Sequence, residues 1–450
     1  VNNTHYQEAI VMKPISVTDQ YLATYAEKDI FSLEDFHHEF SNVVTIPAHD
    51  ENIETISLTL NSIREKDSLV ILVVNAQESS SASAKQSNLE LIRNIRCHSR
   101  EIWQSKKNTG ITLQETASCT TLLIDKSSNQ RHLPNKTGVG LARKIAADIA
   151  TKLIADGKLK TNWIHCTDAD AILPDHYFQF TRGINDHSAA IYPYNHSTSS
   201  HDNAHKNAML LYELSLRHYV IGLNYANSKH AFHSIGSTIA LHFEAYAKVR
   251  GFPIRESGED FYILNKLLKM GKIYYPPSDP ILIDGRFSSR VPFGTGRSVE
   301  KITSLKNPED DFLFYNAEIF EKLKTWISAI SKIGSLPNTR ATKAPFADIF
   351  KDATLNETLE NIGAFDAIET ALKSSKNAHT CQQHLLTWFD GFRTLKFVHQ
   401  MRDRYYPSIS LRQLIQQPFY RSFNLPEDVT LAERMKQFKM IEALLTSNNK

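Results

Sequence analysis

No stretch of this sequence is apolar for long enough to cross a bilayer. The longest purely aliphatic run is Leu69 to Val74, far short of the roughly 20 residues a spanning helix needs, and it suits a buried strand instead. An excess of charge of one sign is missing too. The 51 Lys and Arg nearly cancel the 49 Asp and Glu, leaving +2, and no basic stripe is visible, which argues against a nucleic-acid partner. Cysteine is scarce: Cys97, Cys119, Cys166 and Cys381 lie far apart with no pair at ligand spacing. That pattern excludes a disulfide framework and a zinc site, and it predicts reduced thiols in a cytoplasmic protein. No charged segment followed by an apolar core opens the chain, so no secretory signal is visible. Because the chain starts at Val1 rather than Met, a removed leader stays open. Internal repeats and low-complexity tracts are absent.

What is present is ordinary globular composition, 41% apolar and 22% charged over 450 residues, enough for two packed units. Val43-Val44-Thr45-Ile46 reads as a strand broken at Pro47. Ile53, Ile56, Leu60 and Ile63 recur at helical spacing, and Leu69–Val74 is the next strand. Strand, helix, strand implies a parallel pair in an α/β sheet. Residues 76–90, rich in Ser, Ala, Gln and Asn, read as a loop, with a helix over 89–103. Residues 126–138 form a polar loop. The spacing of Leu141, Ile145, Ile149 and Leu153 predicts an amphipathic helix over 139–154. A strand over 163–166 runs into Asp168. Further helices are expected from about 203 to 219 and from 259 to 270. After about residue 300 helical patterns dominate.

Several short motifs could carry chemistry. Asp168 and Asp170 flank Ala169 after an apolar strand, where open parallel sheets place their ligands. Oxygen ligands suit Mg2+ or Mn2+, although the bare pattern is equally a turn in which one Asp caps a helix. Gly258-Glu259-Asp260 opens a helix, whose dipole favours an ionised carboxylate. An ionised carboxylate can act as a base or simply stabilise the first turn. Pro47-Ala48-His49-Asp50-Glu51 and Asn75 put polar groups at the ends of the first two strands. Gly138 and Gly140 open a helix behind a polar loop, not a strand, which weakens a dinucleotide reading. Arg143, one turn in, could still face a phosphate. The segment 285–297, with Arg286 and Arg290, mixes glycine, arginine and serine as an anion-binding loop or a basic linker would.

The order of these motifs resembles family 2 glycosyltransferases with the GT-A fold. Val43 to Glu51 is similar to that family's opening strand and Pro-Ala-Tyr-Asn-Glu signature, with His49 and Asp50 in place of Tyr and Asn. Asn75 stands where the second strand usually carries an Asp that contacts the nucleoside. Gly138 to Arg143 resembles the Gly-x-x-x-Ala-Arg-Asn helix start, with Lys144 in place of Asn. Asp168-Ala169-Asp170 resembles the Asp-x-Asp metal motif. Arg250-Gly251-Phe252-Pro253 with Gly258-Glu259-Asp260 resembles the acceptor-side Gly-Gly-Phe … Gly-Glu-Asp segment. The Gln-x-x-Arg-Trp motif of polymer-making members is missing.

The resemblance implies a mixed, mostly parallel α/β sheet flanked by helices. It covers a GT-A domain (41–300); a polar, helical lead-in (1–40) and a mainly helical C-terminal region (301–450) lie outside it, the latter expected to shape the acceptor site or mediate homo-oligomerisation. It implies a nucleotide-diphosphate sugar donor on Pro47, Ala48, His49, Glu51, Asn75, Gly138, Arg143, Asp168, Arg286 and Arg290. A divalent metal, Mn2+ or Mg2+, would be held by Asp170 and Asp168. Asp260, with Glu259 beside it, would act as base toward a hydroxyl acceptor, giving inversion. The acceptor pocket would involve 233–237 and the 286–297 loop. A retaining transferase, a nucleotidyltransferase and an inactive nucleotide-sugar-binding protein are the alternative expectations.

Overall fold

The structure, a computed structural model of the chain, describes residues 16–197, 202–286, 294–334 and 344–448. The chain divides into two compact units. One holds the residues up to Ala169 together with Asp175–Ala190 and Ile239–Arg255; the other holds Asp170–Pro174, Ile191–Thr238 and everything from Glu256 onward. The expected 41–300 span is thus shared between both. The strands in chain order are β1 (Asn42–Ala48), β2 (Ser68–Asn75), β3 (Arg100–Gln104), β4 (Ile111–Glu115), β5 (Thr120–Lys126), β6 (Trp163–Cys166), β7 (Ala171–Ile172), β8 (His187–Ile191), β9 (Tyr194–Ser197), β10 (Ile239–His242), β11 (Lys272–Tyr274) and β12 (Ile281–Asp284). The helices used below are α1 (Val17–Thr24), α2 (Ile53–Ser62), α3 (Ala82–Cys97), α4 (Gly138–Ala155), α5 (Asn203–Tyr225), α6 (Phe243–Lys248) and α7 (Glu259–Leu267).

In the first unit the sheet runs β8-β10-β6-β1-β2-β5-β4-β3. The four central strands, β6-β1-β2-β5, are parallel, while β10 on one side and β4 and β3 on the other are antiparallel. The sheet is therefore mixed, with a parallel centre. Every residue of β1 and β2 is buried, the reason their sequences do not alternate: Leu69–Val74 is an unbroken apolar run and the core of β1 is interrupted only at Thr45. Helix α4 lies against this centre and is buried almost all round, polar Arg143, Lys144 and Asp148 included. Asp148 is the reason Lys144 fits. Its carboxylate accepts from Tyr21 (2.5 Å), Tyr246 (2.7 Å), Lys144 (2.8 Å) and the Glu27 amide (2.8 Å), which fastens the N-terminal lead-in onto α4.

Three local expectations change. β1 continues through Pro47, which pairs with Val73. β6 partners β1 only at Val44 and Thr45, so Pro47 has a neighbour on one side, an edge-like position where a missing N–H is tolerated. Helix α3 begins at Ala82, inside the expected 76–90 loop, because Ser81 caps it by accepting from the Ala84 amide at 3.1 Å. Its buried stripe runs Ala84, Asn88, Leu91, Ile92 and Ile95, and a polar Asn within the stripe hides the helical period. β4 and β5 carry Thr at buried positions, which blunts the apolar signal of both strands.

The second unit is built around α5. Met209, Leu211 and Leu214 of its first half pack with Phe314, Leu414, Tyr420 and Phe438, and Leu223 near its end packs with Trp326, Phe346 and Phe397. Beyond residue 300 the regular elements of the described residues are helices, apart from a two-residue ladder of Leu313–Phe314 with Ile409–Ser410. A small sheet, β7-β12-β9, completes the unit. Among the described residues no helix is long and apolar enough to cross a membrane.

Candidate active site

The first unit gathers its expected donor-side residues at the carboxyl ends of three neighbouring strands, β2, β1 and β6. Pro47 and Ala48 end β1 within the core. The His49 ring Nδ1 sits 2.8 Å from the Asn75 carbonyl oxygen at the end of β2. Asp50 takes a left-handed backbone, φ 56°, a conformation open at little cost to Asp. Glu51 is buried, and Asn52 caps α2 by accepting from the Thr55 amide at 2.8 Å. The Asn75 carboxamide is also fixed: Nδ2 donates to the carbonyls of Ala48 (3.0 Å) and Val73 (3.3 Å). With both amide hydrogens engaged, Oδ1 is what this side chain can present to a ligand.

Asn88, on α3, ties these loops together and was missed by sequence reasoning. Fully buried, it accepts from the Asp50 amide (2.8 Å) and donates to the Asn75 carbonyl (2.8 Å) and to the Ser127 hydroxyl (3.1 Å). A lone Asn on the apolar face of a helix was the available signal. Next to it, Asp125 accepts from the Ser127 and Ser128 amides, the Ser128 hydroxyl and Arg131. Burial pushes its carboxyl up, but these hydrogen bonds and the guanidinium outweigh that and hold it below the usual carboxylate range.

At the end of β6 the Thr167 amide donates to the Thr45 carbonyl (3.0 Å), and Thr59 of α2 donates to the Ala169 carbonyl (2.8 Å). The loop carrying Asp168 is therefore held from both sides. Arg143, only 3% exposed, donates to Asp168 Oδ1 at 2.5 Å and to the Thr167 carbonyl at 3.4 Å. Its guanidinium thus faces a carboxylate. Gly138 opens α4 with φ 46°. Gly140 is needed for a different reason, close chain packing. A Cβ there would lie 2.6 Å from the Pro253 carbonyl and 2.7 Å from the Arg255 backbone.

The second unit holds the remaining residues. Asp170 leads into β7, and its carbonyl accepts from the Asp284 amide at 3.2 Å, extending the β7–β12 ladder. Arg286, two residues past β12, pairs with Asp170 Oδ2 at 2.9 Å. Asp284 repeats the signal of Asp168, an acid that follows apolar strand residues, and went unnoticed in the sequence. Gly258 supplies the left-handed turn, φ 74°, that starts α7. Glu259 is buried and Asp260 half-buried, with Asp260 Oδ1 accepting from the Phe261 amide at 2.7 Å. Tyr212 of α5 lies close enough to feel that carboxylate: burial first, and then the Asp260 charge, push its phenol up. In the 233–237 segment, His233 Nε2 meets Glu442 at 2.8 Å. Arg290 and most of the 286–297 loop lie outside the described residues.

Among the described residues no three His, Cys, Asp or Glu side chains gather as a metal cage. Mg2+ uses one or two carboxylates together with substrate phosphates and keeps several waters. Asp168 and Asp170 are carboxylates of the type such an ion takes, and each is paired with an arginine here: Asp168 with Arg143 in the first unit, Asp170 with Arg286 in the second. The sequence matches no protein-family model and no curated protein.

Proposed function

We propose that the protein is a metal-dependent glycosyltransferase that moves a sugar from a nucleotide-diphosphate donor to a hydroxyl acceptor with inversion. One observation carries the reading. From β1 the chain moves by way of α2 to β2 on one side, and it later returns through α4 to β6 on the other side of β1. Neighbouring strands whose connections depart in opposite directions form a topological switch point, the place where open α/β sheets bind ligands at the strands' carboxyl ends. His49, Asn75 and Asp168 stand at those ends.

In this reading the nucleoside rests on Pro47–Glu51 and Asn75. Oδ1 of Asn75 is an acceptor, so it favours bases that offer a ring N–H, uracil or guanine, over adenine and cytosine, whose corresponding ring nitrogens accept. Asp170 and Asp168 would hold Mg2+ or Mn2+, which supplies Lewis-acid stabilisation of the leaving diphosphate. Arg143 fixes Asp168 so that its carboxylate does not have to be ordered when the donor arrives. Asp260 accepts the proton of the acceptor hydroxyl as the new bond to the anomeric carbon forms and the bond to diphosphate breaks.

Two measurements test this. Calorimetry with UDP, GDP, ADP and CDP should give binding that prefers UDP or GDP and needs Mn2+ or Mg2+; equal affinity for all four, or full affinity in EDTA, refutes the donor assignment. Asp260→Asn should keep donor binding and lower transfer by about 10²–10⁴-fold, and NMR of the wild-type product should show the inverted anomer. Undiminished transfer removes Asp260 from the role.

A further inference from the structure

The second unit contains a pocket of about 310 Å³ that uses none of the residues assigned above. It opens beside the turn after α5, the end of α7 and the helices Glu318–Gly334 and Ala378–Trp388. Its volume is in the range of small-molecule sites. Ile327, Leu386 and Phe389 give it apolar surface, and Asn227, Ser331, Gln382, Gln383 and Thr387 line it with neutral polar groups.

Charge decides what such a pocket takes. The lining cations are Lys229 and Lys269. Lys269 is paired with Asp390 at 2.7 Å, and Asp390 is held ionised: burial raises its carboxyl, but the hydrogen bonds from Lys269, the Arg393 amide and Asn265 outweigh that. Lys229 is exposed, so water and salt screen its charge, and Lys269 follows the C-terminus of α7, whose partial negative charge offsets a cation. His230 is neutral near pH 7, since burial pushes its imidazole down to about 4, and its buried Nδ1 has no hydrogen-bond partner. The net field is therefore small, so an anion gains little here. Gln382 Nε2 donates to the Ser331 carbonyl at 3.4 Å, which orients its carboxamide and leaves Oε1 and the second N–H toward a ligand; with the Gln383 carboxamide these donors and acceptors match the paired hydroxyls of a polyol, and the apolar surface matches the face of a sugar ring.

We infer that this pocket binds a neutral saccharide. The inference goes beyond the proposed transfer and does not depend on it, because sugar binding here requires neither donor nor metal.

Saturation-transfer NMR on the full chain tests it with glucose, galactose, mannose, N-acetylglucosamine and their dimers and trimers. At least one should bind. In Gln382→Ala/Gln383→Ala affinity should fall by about tenfold or more, the loss of one or two hydrogen bonds, with the melting temperature and nucleotide-diphosphate binding unchanged. Hydrogen–deuterium exchange on the wild-type protein, which needs no variant, should show sugar-dependent protection at 227–230 and 382–389. No binder in the panel, no protection at those segments, an unaffected double variant, or binding of inorganic phosphate and sugar phosphates alone would each overturn the inference.

Discussion

Asn88 offers the sharpest test of how the first unit builds its candidate site. Asn88→Ala removes three hydrogen bonds, to the Asp50 amide, the Asn75 carbonyl and Ser127. Each is worth about 0.5–1.5 kcal/mol net. The Asn75 carbonyl keeps His49, and Asp50 is exposed enough for water to replace its partner, so neither end is fully orphaned. Ser127 is buried, so water does not replace the donor it loses. The sum is a loss of about 2–4 kcal/mol, together with a loosened Asp50 turn and weaker nucleotide binding. Asn88→Asp is more diagnostic. One oxygen can still accept from the Asp50 amide, but the other must face the Asn75 carbonyl, where Nδ2 now donates at 2.8 Å. An ionised carboxylate there is buried and repelled. Lowering the pH protonates it and restores a donor, so the Asp variant should regain stability toward acid while the Ala variant does not. Urea unfolding at pH 7 and pH 5, with calorimetry of UDP and GDP binding, measures both effects. An Ala variant within about 0.5 kcal/mol of wild type, the scatter of ordinary surface changes, with unchanged affinity would refute the assignment.

Asp148→Ala should cost about 3–5 kcal/mol, because it strands Lys144 as an uncompensated buried charge, and adding Lys144→Met should recover part of that; a cost under about 1 kcal/mol in a denaturant double-mutant cycle would deny the lead-in clamp. In the second unit burial raises the Glu213 carboxyl, but its hydrogen bond with His196 and the Arg217 guanidinium outweigh this and hold it at about 2, below the 4.5 of the free side chain. A depressed carboxyl stabilises the fold fully above its unfolded value, and the contribution is lost as pH falls through the folded one. Urea midpoints measured between pH 5 and pH 2.5 should therefore fall more steeply for wild type than for Glu213→Gln, and parallel profiles would contradict the ion-pair reading.

The parts of the fold legible in the sequence were those whose period survives burial. β1, β2, β6 and α4 are buried through apolar residues, and their runs or stripes are visible directly. α3 was displaced because Asn88 interrupts its stripe for a reason of hydrogen bonding, and β4 and β5 were missed because Thr112 and Thr121 are buried without being apolar. The same limit governs the site. Residues at strand ends, such as Asn75 and Asp168, could be placed from the strand before them. Asn88, Tyr212 and Asp284 act across the fold, and nothing local in their sequence marks the partner.

Charge is where the structure adds most to the reading of the motifs. Sequence reasoning gave Arg143 and Arg286 to the phosphates of a donor. In the folded chain each already neutralises one carboxylate of Asp168-Ala169-Asp170. The two pairs differ in how firmly they are held. Arg143 is 3% exposed and bonded to the Thr167 carbonyl as well, so its pair with Asp168 is the more firmly held. Arg286 is 21% exposed and follows a strand end. A divalent ion would bring twice the charge of a guanidinium and takes oxygen ligands. Under the proposed function Asp170 would be the carboxylate that holds the metal, and Asp168 would serve the ribose or the metal's waters.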